Sequence, residues 1–510
     1  EQSLSDFVLG SSRARPEHAA LADASTGRTL TYGELREQVR RVASGLAALG
    51  IRKSDVVALC SPNSPEFAIV FHAVARIGAT LTPMNPANTA HELAHQLIDS
   101  EAKLMIGTAS VAEKARAAIK GCEKTIEFIT TDEEPGTRSL RSIAIDADPP
   151  AVTIDPSSDV VVLPYSSGTT GLPKGVMLTH RNIVANLMQM DAIERPNLRA
   201  LAGVLPFFHI YGMVVILNFG LMRGATIVTL PRFELEPFLK LLQDWPIALA
   251  HIVPPIAVAL ANDPCVDRYN LTHIETLFSA AAPLSPALAD AVQKRLKITI
   301  KQGYGMTEAS PATHFADYRS EFRSQTVGRL VPSTECRIID VESGRDAGAG
   351  QPGEVCIRGP QVMKGYLNNP EATARTVDTE GWLHTGDIGV VDEEGYLTIV
   401  DRLKELIKVN GYQVAPAELE ALLLTHPRVI DVAVIPVADD ECGEVPKAFI
   451  VSRGELTAET VIEFVHAQVA HYKRVRHVSF IDSIPKSASG KILRRVLVDR
   501  ERSGAFGHPS

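Results

Sequence analysis

The sequence lacks the features that mark several large classes of protein. It has no apolar run of about 18 residues, so no membrane-spanning helix is expected. It has no excess of positive charge. Its 51 Lys and Arg stand against 60 Asp and Glu, a net charge of −9, which removes the broad basic footprint of a nucleic-acid-binding protein. Cysteine is scarce. The six residues Cys60, Cys122, Cys265, Cys336, Cys356 and Cys442 include no Cys-x-x-Cys pair, and they read as the reduced, mostly buried thiols of a cytoplasmic protein. The stretch after Glu1 has neither a charged n-region nor an apolar h-region, so no secretory leader is expected. No internal repeat or low-complexity tract occurs.

What is present is length and apolar content. At 510 residues and 45% hydrophobic, the chain is too long for one compact core and rich enough to bury several. Thr31-Tyr32-Gly33-Glu34 reads as a capping box, followed by Leu35, Val39, Val42, Ala43 and Leu46 at helical spacing. An apolar strand at 56–60 and a second helical pattern at 65–77 come next. Such alternation predicts an α/β unit, mostly parallel sheets covered by helices. From Asp401 the pattern changes. Strands are expected at 429–437, 447–451 and 475–481 and a helix at 458–470, enough for a small α+β unit. The expected division is therefore a large N-terminal domain, 1–400, and a small C-terminal domain, 401–510.

The most informative stretch is Tyr165-Ser166-Ser167-Gly168-Thr169-Thr170-Gly171-Leu172-Pro173-Lys174-Gly175, after an apolar strand at 160–163. Glycines let backbone N–H groups approach an anion, hydroxyls add donors, and Lys174 adds a positive charge, so the loop suits a polyphosphate. It does not fit Gly-x-x-x-x-Gly-Lys-Ser/Thr and is not a Walker A loop.

This loop resembles the signature of the adenylate-forming superfamily, which includes acyl-CoA synthetases, firefly-type luciferases and peptide-synthetase adenylation domains. Four more segments resemble that family and fall in its order. They are Gln302-Gly303-Tyr304-Gly305-Met306-Thr307-Glu308, Thr385-Gly386-Asp387, Asp401-Arg402-Leu403-Lys404-Glu405-Leu406-Ile407-Lys408, and Pro485-Lys486-Ser487-Ala488-Ser489-Gly490-Lys491. The resemblance covers about 30–495. It implies an enzyme, an acid–thiol ligase that converts a carboxylic acid to an acyl-adenylate with ATP and Mg²⁺ and then passes the acyl group to coenzyme A. It also implies that the small domain is mobile.

The resemblance assigns roles residue by residue. Ser166, Ser167, Gly168, Thr169, Thr170, Gly171 and Lys174 would hold the ATP phosphates. Glu308, with Thr169, would hold Mg²⁺, and Thr307 would meet the α-phosphate. Gln302, Gly303 and Tyr304 would line the adenine site, and Asp387 and Arg402 the ribose. Lys408 and Gln413 would lie near the adenylate. Lys491 would reach the oxygen bridging acyl group and α-phosphate. Beside Arg494 and Arg495, such a lysine reads by itself as part of a solvated basic stretch. His209, in Pro206-Phe207-Phe208-His209-Ile210-Tyr211-Gly212, would gate or line the acyl pocket, although a lone histidine among aromatics is more often a core residue. Its metal reading fails, because no partner His or Cys has ligand spacing. Lys404 would be the hinge, and Arg232, Asn410 and Gly411 would meet coenzyme A.

Within the superfamily, Val414-Ala415-Pro416-Ala417-Glu418-Leu419-Glu420 and Phe208-His209-Ile210-Tyr211 are most similar to 4-coumarate– and cinnamate–CoA ligases. The expected acyl pocket comprises Tyr211, Val215, Phe278, Ala280, Ala281, Gly305, Pro311 and Ala312. Val215 stands where that family often has serine, Phe278 where it often has lysine, and Ala280 where it has glycine. These departures imply an apolar acid, such as cinnamate or a medium-chain fatty acid. The alternatives are a medium- or long-chain fatty acyl-CoA ligase and an acyl-AMP ligase that loads a carrier protein.

Overall fold

The computed structural model describes residues 2–10, 16–166, 173–194, 197–319, 323, 325–403, 405–409, 412–439, 442–487 and 490–503, with Gln413 described by its backbone alone. Its first helix begins at the expected capping box. Thr31 Oγ1 accepts from Glu34 N at 3.2 Å, and Glu34 Oε2 accepts from Thr31 N at 2.8 Å. Two otherwise orphaned donors are satisfied, and the helix Tyr32–Ala48 follows with Leu35, Val39, Val42 and Leu46 buried. The strand Val56–Cys60 and the helix Pro65–Arg76 come next, the latter capped by Ser64.

The Val56–Cys60 strand lies inside a large sheet. Strands Val160–Val162, Thr80–Met84, Val56–Cys60, Leu104–Gly107 and Glu127–Thr130 run parallel. Lys174–Thr179 adds antiparallel beside Val160–Val162, and Gly365–Tyr366 adds antiparallel beside Lys174–Thr179. A second sheet takes Leu249–Ile252, Thr276–Ser279 and Thr299–Gly305 in parallel, then Ala312–Phe315 and Arg329–Leu330 antiparallel. The carboxyl ends of its parallel strands bring Ser279 and Gln302–Gly305 to one edge, the usual place for a ligand in an open parallel sheet. One apolar core underlies both sheets. A third, wholly antiparallel sheet holds Glu335–Ile339, Gly353–Arg358, Leu383–Val391 and Leu397–Arg402.

The C-terminal part is a separate α+β unit. Strands Val429–Asp439, Gly443–Ser452, Ile407–Val409, Tyr412–Val414 and His477–Phe480 form its sheet. Successive side chains along Val429–Asp439 alternate between two apolar clusters. Val432 and Val434 pack with Leu419, Ile450 and Val465, whereas Ala433 and Ile435 pack with Phe449 and Leu497.

Several element bounds differ from expectation. The strands expected at 429–437 and 475–481 run Val429–Asp439 and His477–Phe480, and the helix expected at 65–77 ends at Arg76. Three further differences have a visible cause. The second long strand starts at Gly443, before its apolar stretch, because its polar residues still pair with Val437–Asp439. The helix Ala458–His466 ends four residues early, where the chain turns and His466 Nε2 meets Val475 O at 3.1 Å. The strand Leu397–Arg402 carries the large unit's sheet past the expected boundary at 400, since Arg402 still pairs with Asp387. Among the described residues no helix is long and apolar enough to cross a membrane.

Candidate active site

The antiparallel sheet and the edge of the second sheet meet at Asp387. Cross-strand pairing places Asp387 opposite Arg402, and Arg402 Nε lies 3.1 Å from Asp387 Oδ1. The other oxygen, Oδ2, accepts a hydrogen bond from Tyr304 Oη at 2.6 Å. Burial raises the Asp387 carboxyl above the usual carboxylate value, opposed by the Arg402 charge and the Tyr304 phenol. Each oxygen keeps a lone pair free of these two partners, so the carboxylate can accept from vicinal hydroxyls. Gly303 and Gly305 are needed here for space. A Cβ at Gly303 would stand 2.8 Å from the Phe278 ring, and one at Gly305 2.1 Å from Pro311 O.

Glu308 lies in the short turn Thr307–Ala309 that follows the strand edge, with Thr307 half-buried beside it. Its buried carboxylate accepts from Tyr366 Oη at 2.8 Å. Lys174 Nζ stands 4.1 Å from the centre of the same Tyr366 ring. The pairing of Gly365–Tyr366 with Lys174–Thr179 brings the two together. Among the described residues no lysine or arginine forms an ion pair with Glu308. A buried carboxylate held by a neutral phenol and uncompensated by a side-chain cation fits an oxygen-binding divalent ion. Tyr366 is a site residue that the sequence reading missed.

Lys491 reaches this region from the small unit. Ser487 N donates to Lys491 O at 2.8 Å, and Lys491 N donates to Ser487 Oγ at 3.1 Å, closing a tight loop. Gly490 has φ +80°, and a Cβ there would meet Pro255 Cδ at 2.7 Å. Gly490 thus rests directly on the N-terminus of the helix Pro254–Asn262 in the large unit. Burial lowers the Lys491 ammonium to about 8, with the Arg402 charge adding to the shift. Lys491 lies close enough for its charge to act on both Asp387 and His209. His209 is pushed down to about 4, first by burial and then by Lys491, so it is neutral at ordinary pH. Its Nδ1 accepts from Tyr211 N at 3.3 Å.

Arg494 and Arg495 are unlike each other. Arg494 is half-buried and binds both oxygens of Glu420 at 2.8 and 2.6 Å, and it pairs with Glu405 next to the expected hinge. Arg495 is exposed and pairs with Asp499 one helical turn away. Asp401 accepts from Ala417 N at 2.9 Å, a second tie between the connecting strand and the small unit.

The expected acyl-pocket residues separate into two groups. Tyr211, Val215, Phe278 and Ala312 are buried, Gly305 stands against Pro311 O, and Ala280 is half-buried. Tyr211 Oη stands 3.2 Å from both His251 Nδ1 and Phe278 O. Phe278 stacks on Phe315 with centroids 4.1 Å apart and tilts against His251 at 5.6 Å. Ala281, by contrast, is exposed at a positive φ of 73°. His251 was also missed by the sequence reading. It arrives beside Phe278 only through parallel pairing of two strands.

Several expected site residues stand apart from this cluster. Lys408 is exposed on the small sheet, where its N donates to Glu444 Oε2 at 2.9 Å. Gln413 is its cross-strand neighbour. Arg232 is 83% exposed and pairs with Glu234. Ser167, Gly168, Thr169, Thr170, Gly171, Lys404, Asn410 and Gly411 lie outside the described residues. Ser166 pairs with Lys174 at the mouth of the phosphate loop.

Residues 10–367 match the AMP-binding enzyme family, and residues 418–491 match the AMP-binding enzyme C-terminal domain. The chain belongs to this family. It is 46% identical to 4-coumarate–CoA ligase 1 of Petroselinum crispum, over 96% of this chain and 92% of the relative. It is 43% identical to 4-coumarate–CoA ligase 5 of Oryza sativa subsp. japonica, over 97% and 94%. Among solved structures, ATP-bound MatB from Rhodopseudomonas palustris is 29% identical, with 98% of this chain and 99% of that chain covered and a TM-score of 0.90. Apo MatB, with the same coverage, gives 0.79. The chain is thus an enzyme, an ATP-dependent ligase that activates an acid and joins it to coenzyme A.

Proposed function

We propose that this ligase acts on an apolar acid of the cinnamate and 4-coumarate type, and that the arrangement described above is the one that makes the acyl-adenylate. The observation that carries the second point is Lys491, which is half-buried beside Asp387 and Arg402 with Gly490 seated on Pro255. The higher similarity to ATP-bound than to apo MatB supports the same reading.

In the first half-reaction a substrate carboxylate oxygen attacks the α-phosphorus of ATP and pyrophosphate leaves. Negative charge gathers on the phosphoryl oxygens, so positioned cations supply most of the catalysis. Lys491 sits on the oxygen bridging acyl group and phosphorus, Asp387 holds the ribose with Arg402, and Lys174 and the loop before it hold the outer phosphates. Thr307 faces the α-phosphate. Glu308 would hold Mg²⁺, which would supply charge neutralisation on phosphate oxygens. In the second half-reaction the thiol of coenzyme A attacks the acyl carbon and AMP leaves. The small unit pivots near Lys404, Lys491 withdraws, and the segment of Asn410 and Gly411 replaces it, with Lys408 near the adenylate and Arg232 meeting a phosphate of coenzyme A. The scarcity of cysteine and the lack of a Cys-x-x-Cys pair support a cytoplasmic location.

The apolar-acid reading rests on Val215 and Phe278, which are buried and offer no side-chain hydrogen bond. The test is a comparison of kcat/KM for cinnamate, 4-coumarate, caffeate and octanoate, with coenzyme A and with a holo-carrier protein as acceptor. Cinnamate with coenzyme A is expected to lead. A preference for caffeate, or for the carrier protein, would overturn the reading.

A further inference from the structure

The ribose-side turn Thr385-Gly386-Asp387 sits on an irregularity in the antiparallel sheet. Pairing runs Glu354↔Ile388 and then Cys356↔His384, so the strand Leu383–Val391 carries extra residues opposite one stretch of Gly353–Arg358. Such a bulge re-aims side chains but leaves local donors off the ladder. Here Glu354 closes the gap, its Oε1 accepting from Gly386 N at 3.0 Å. Thr385 Oγ1 donates to Val355 O at 2.7 Å from the same turn.

The other oxygen of Glu354 takes part in a second cluster. His384 Nδ1 stands 3.0 Å from Glu354 Oε2 and 3.4 Å from Cys356 Sγ. One ligand atom from each of the three residues lies within 4.8 Å of the other two. A single ring nitrogen thus meets two electron-rich atoms and has at most one hydrogen to share between them. The donor set of sulfur, imidazole and carboxylate suits a borderline cation of the Zn²⁺ kind and does not suit Mg²⁺. Tetrahedral bonds of about 2.0–2.3 Å place neighbouring ligand atoms roughly 3.3–3.6 Å apart, close to the two distances at His384 Nδ1, and the third separation is within 4.8 Å. His384 is 30% exposed, which gives an entry route and room for a water as fourth ligand. On the far side of its ring, Nε2 stands 3.6 Å from Asp378 Oδ2, a contact that fixes the ring's orientation.

We propose that Glu354, Cys356 and His384 form a binding site for a Zn²⁺-class cation, and that its occupation slows adenylation by drawing Glu354 away from Gly386. The inhibitory half rests on Asp387 being the ribose residue, since Gly386 immediately precedes it. The binding half does not. The ion replaces the thiol proton of Cys356 and adds a positive charge beside the turn, which loosens the hydrogen bond that sets the direction of Asp387.

The test uses the full-length protein, treated with a chelator, kept reduced, and titrated with Co²⁺ as a spectroscopic probe. One equivalent is expected to give a sulfur-to-cobalt charge-transfer band and the visible bands of a tetrahedral ion, and Cys356→Ser is expected to lose both. With Mg²⁺ and ATP present, Zn²⁺ should raise the KM for ATP about tenfold in the wild type, the scale of effects at second-shell contacts. Cys356→Ser should keep its basal adenylation and escape that rise. Absence of the charge-transfer band, or its survival in Cys356→Ser, would overturn the site. A site that binds Co²⁺ while the KM for ATP stays unchanged would overturn the coupling. If Asp387→Asn leaves the KM for ATP unaltered, the ribose assignment fails, whereas the cobalt spectrum still decides the ion site.

Discussion

The two halves of the active site are built differently. Asp387 and Arg402 sit on paired strands and Tyr304 on a laddered strand of the adjoining sheet, while edge pairing brings Tyr366 to Lys174 and a hydrogen bond ties Tyr366 to Glu308. An apolar cluster including Ala309, Val355, Ile357, Leu383 and Leu397 backs the first set. Lys491 reaches the same place from a unit with its own core. Its loop touches the large unit where Gly490 rests on Pro255, and the links nearby are ionic or polar, through Glu405, Arg494 and Asp401. Apolar packing is costly to open, whereas polar contacts can be exchanged for water at small net cost. On the proposed roles, Asp387 and Arg402, which serve both half-reactions, lie on the fixed side, and Lys491, which serves only one, lies on the side that can leave.

Removing the lysine itself should break this contrast most severely. Lys491→Ala is expected to lower adenylation about 10²- to 10³-fold, the range for loss of one preorganised charge-stabilising donor. Thioester formation from supplied acyl-AMP should be spared, as single-turnover assays of each half-reaction would show. Equal loss in both halves, with folding intact, would contradict the division.

Unseating the loop without touching the lysine sharpens the point. In Gly490→Ala the new Cβ would collide with Pro255, and φ +80° disfavours any residue with a side chain. Adenylation should fall by up to about 10²-fold, as for a misplacement of around 1 Å, while the far-ultraviolet spectrum is unchanged. Pro255→Ala in the same background should restore part of the rate, because it removes the atoms the Cβ meets.

The fixed half is probed by substrate choice. Burying an unpaired hydroxyl costs about 1–3 kcal/mol, so cinnamate should exceed caffeate by roughly ten- to a hundredfold in kcat/KM. Val215→Ser should narrow that ratio. A ratio unmoved by the serine would show that Val215 does not meet the ring.

The smallest effect is the pH profile. Lys491 acts in its charged form, and its value in the folded protein is about 8, below the usual lysine value. The kcat/KM for adenylation should therefore be full below that pH and fall as pH rises through it, about tenfold by one unit above. His209, pushed down to about 4, stays neutral and adds no inflection between about pH 5 and 8. A rate that rises from pH 7 to 9 would contradict the assignment to Lys491.

Much of this site is legible in the sequence because its chemistry is written in contiguous segments. Gln302 to Glu308, Thr385 to Asp387 and Ser487 to Lys491 each carry their own spacing and turn residues. Helix starts were legible for the same reason, as at Thr31, where the cap and its partner are three residues apart. The contacts that were not legible are long-range. Tyr366 meets Glu308 across 58 positions, Arg494 meets Glu420 across 74, and Tyr304 meets Asp387 across 83. Arg494 is the clearest case. Its local surroundings look like a solvated basic stretch, and only the fold reveals an ion pair with the buried Glu420. Phe278 teaches a related lesson. The family resemblance alone assigns it to the acyl pocket, whereas pairing and stacking tie it to His251, Phe315 and Gly303.

The most direct test of the central claim is a single-turnover reaction of the wild type with cinnamate, ATP and Mg²⁺, first without coenzyme A. The account predicts pyrophosphate and enzyme-bound cinnamoyl-AMP in equal amounts, followed on addition of coenzyme A by cinnamoyl-CoA and AMP. Release of ADP and inorganic phosphate, or no pyrophosphate until coenzyme A is added, would contradict it.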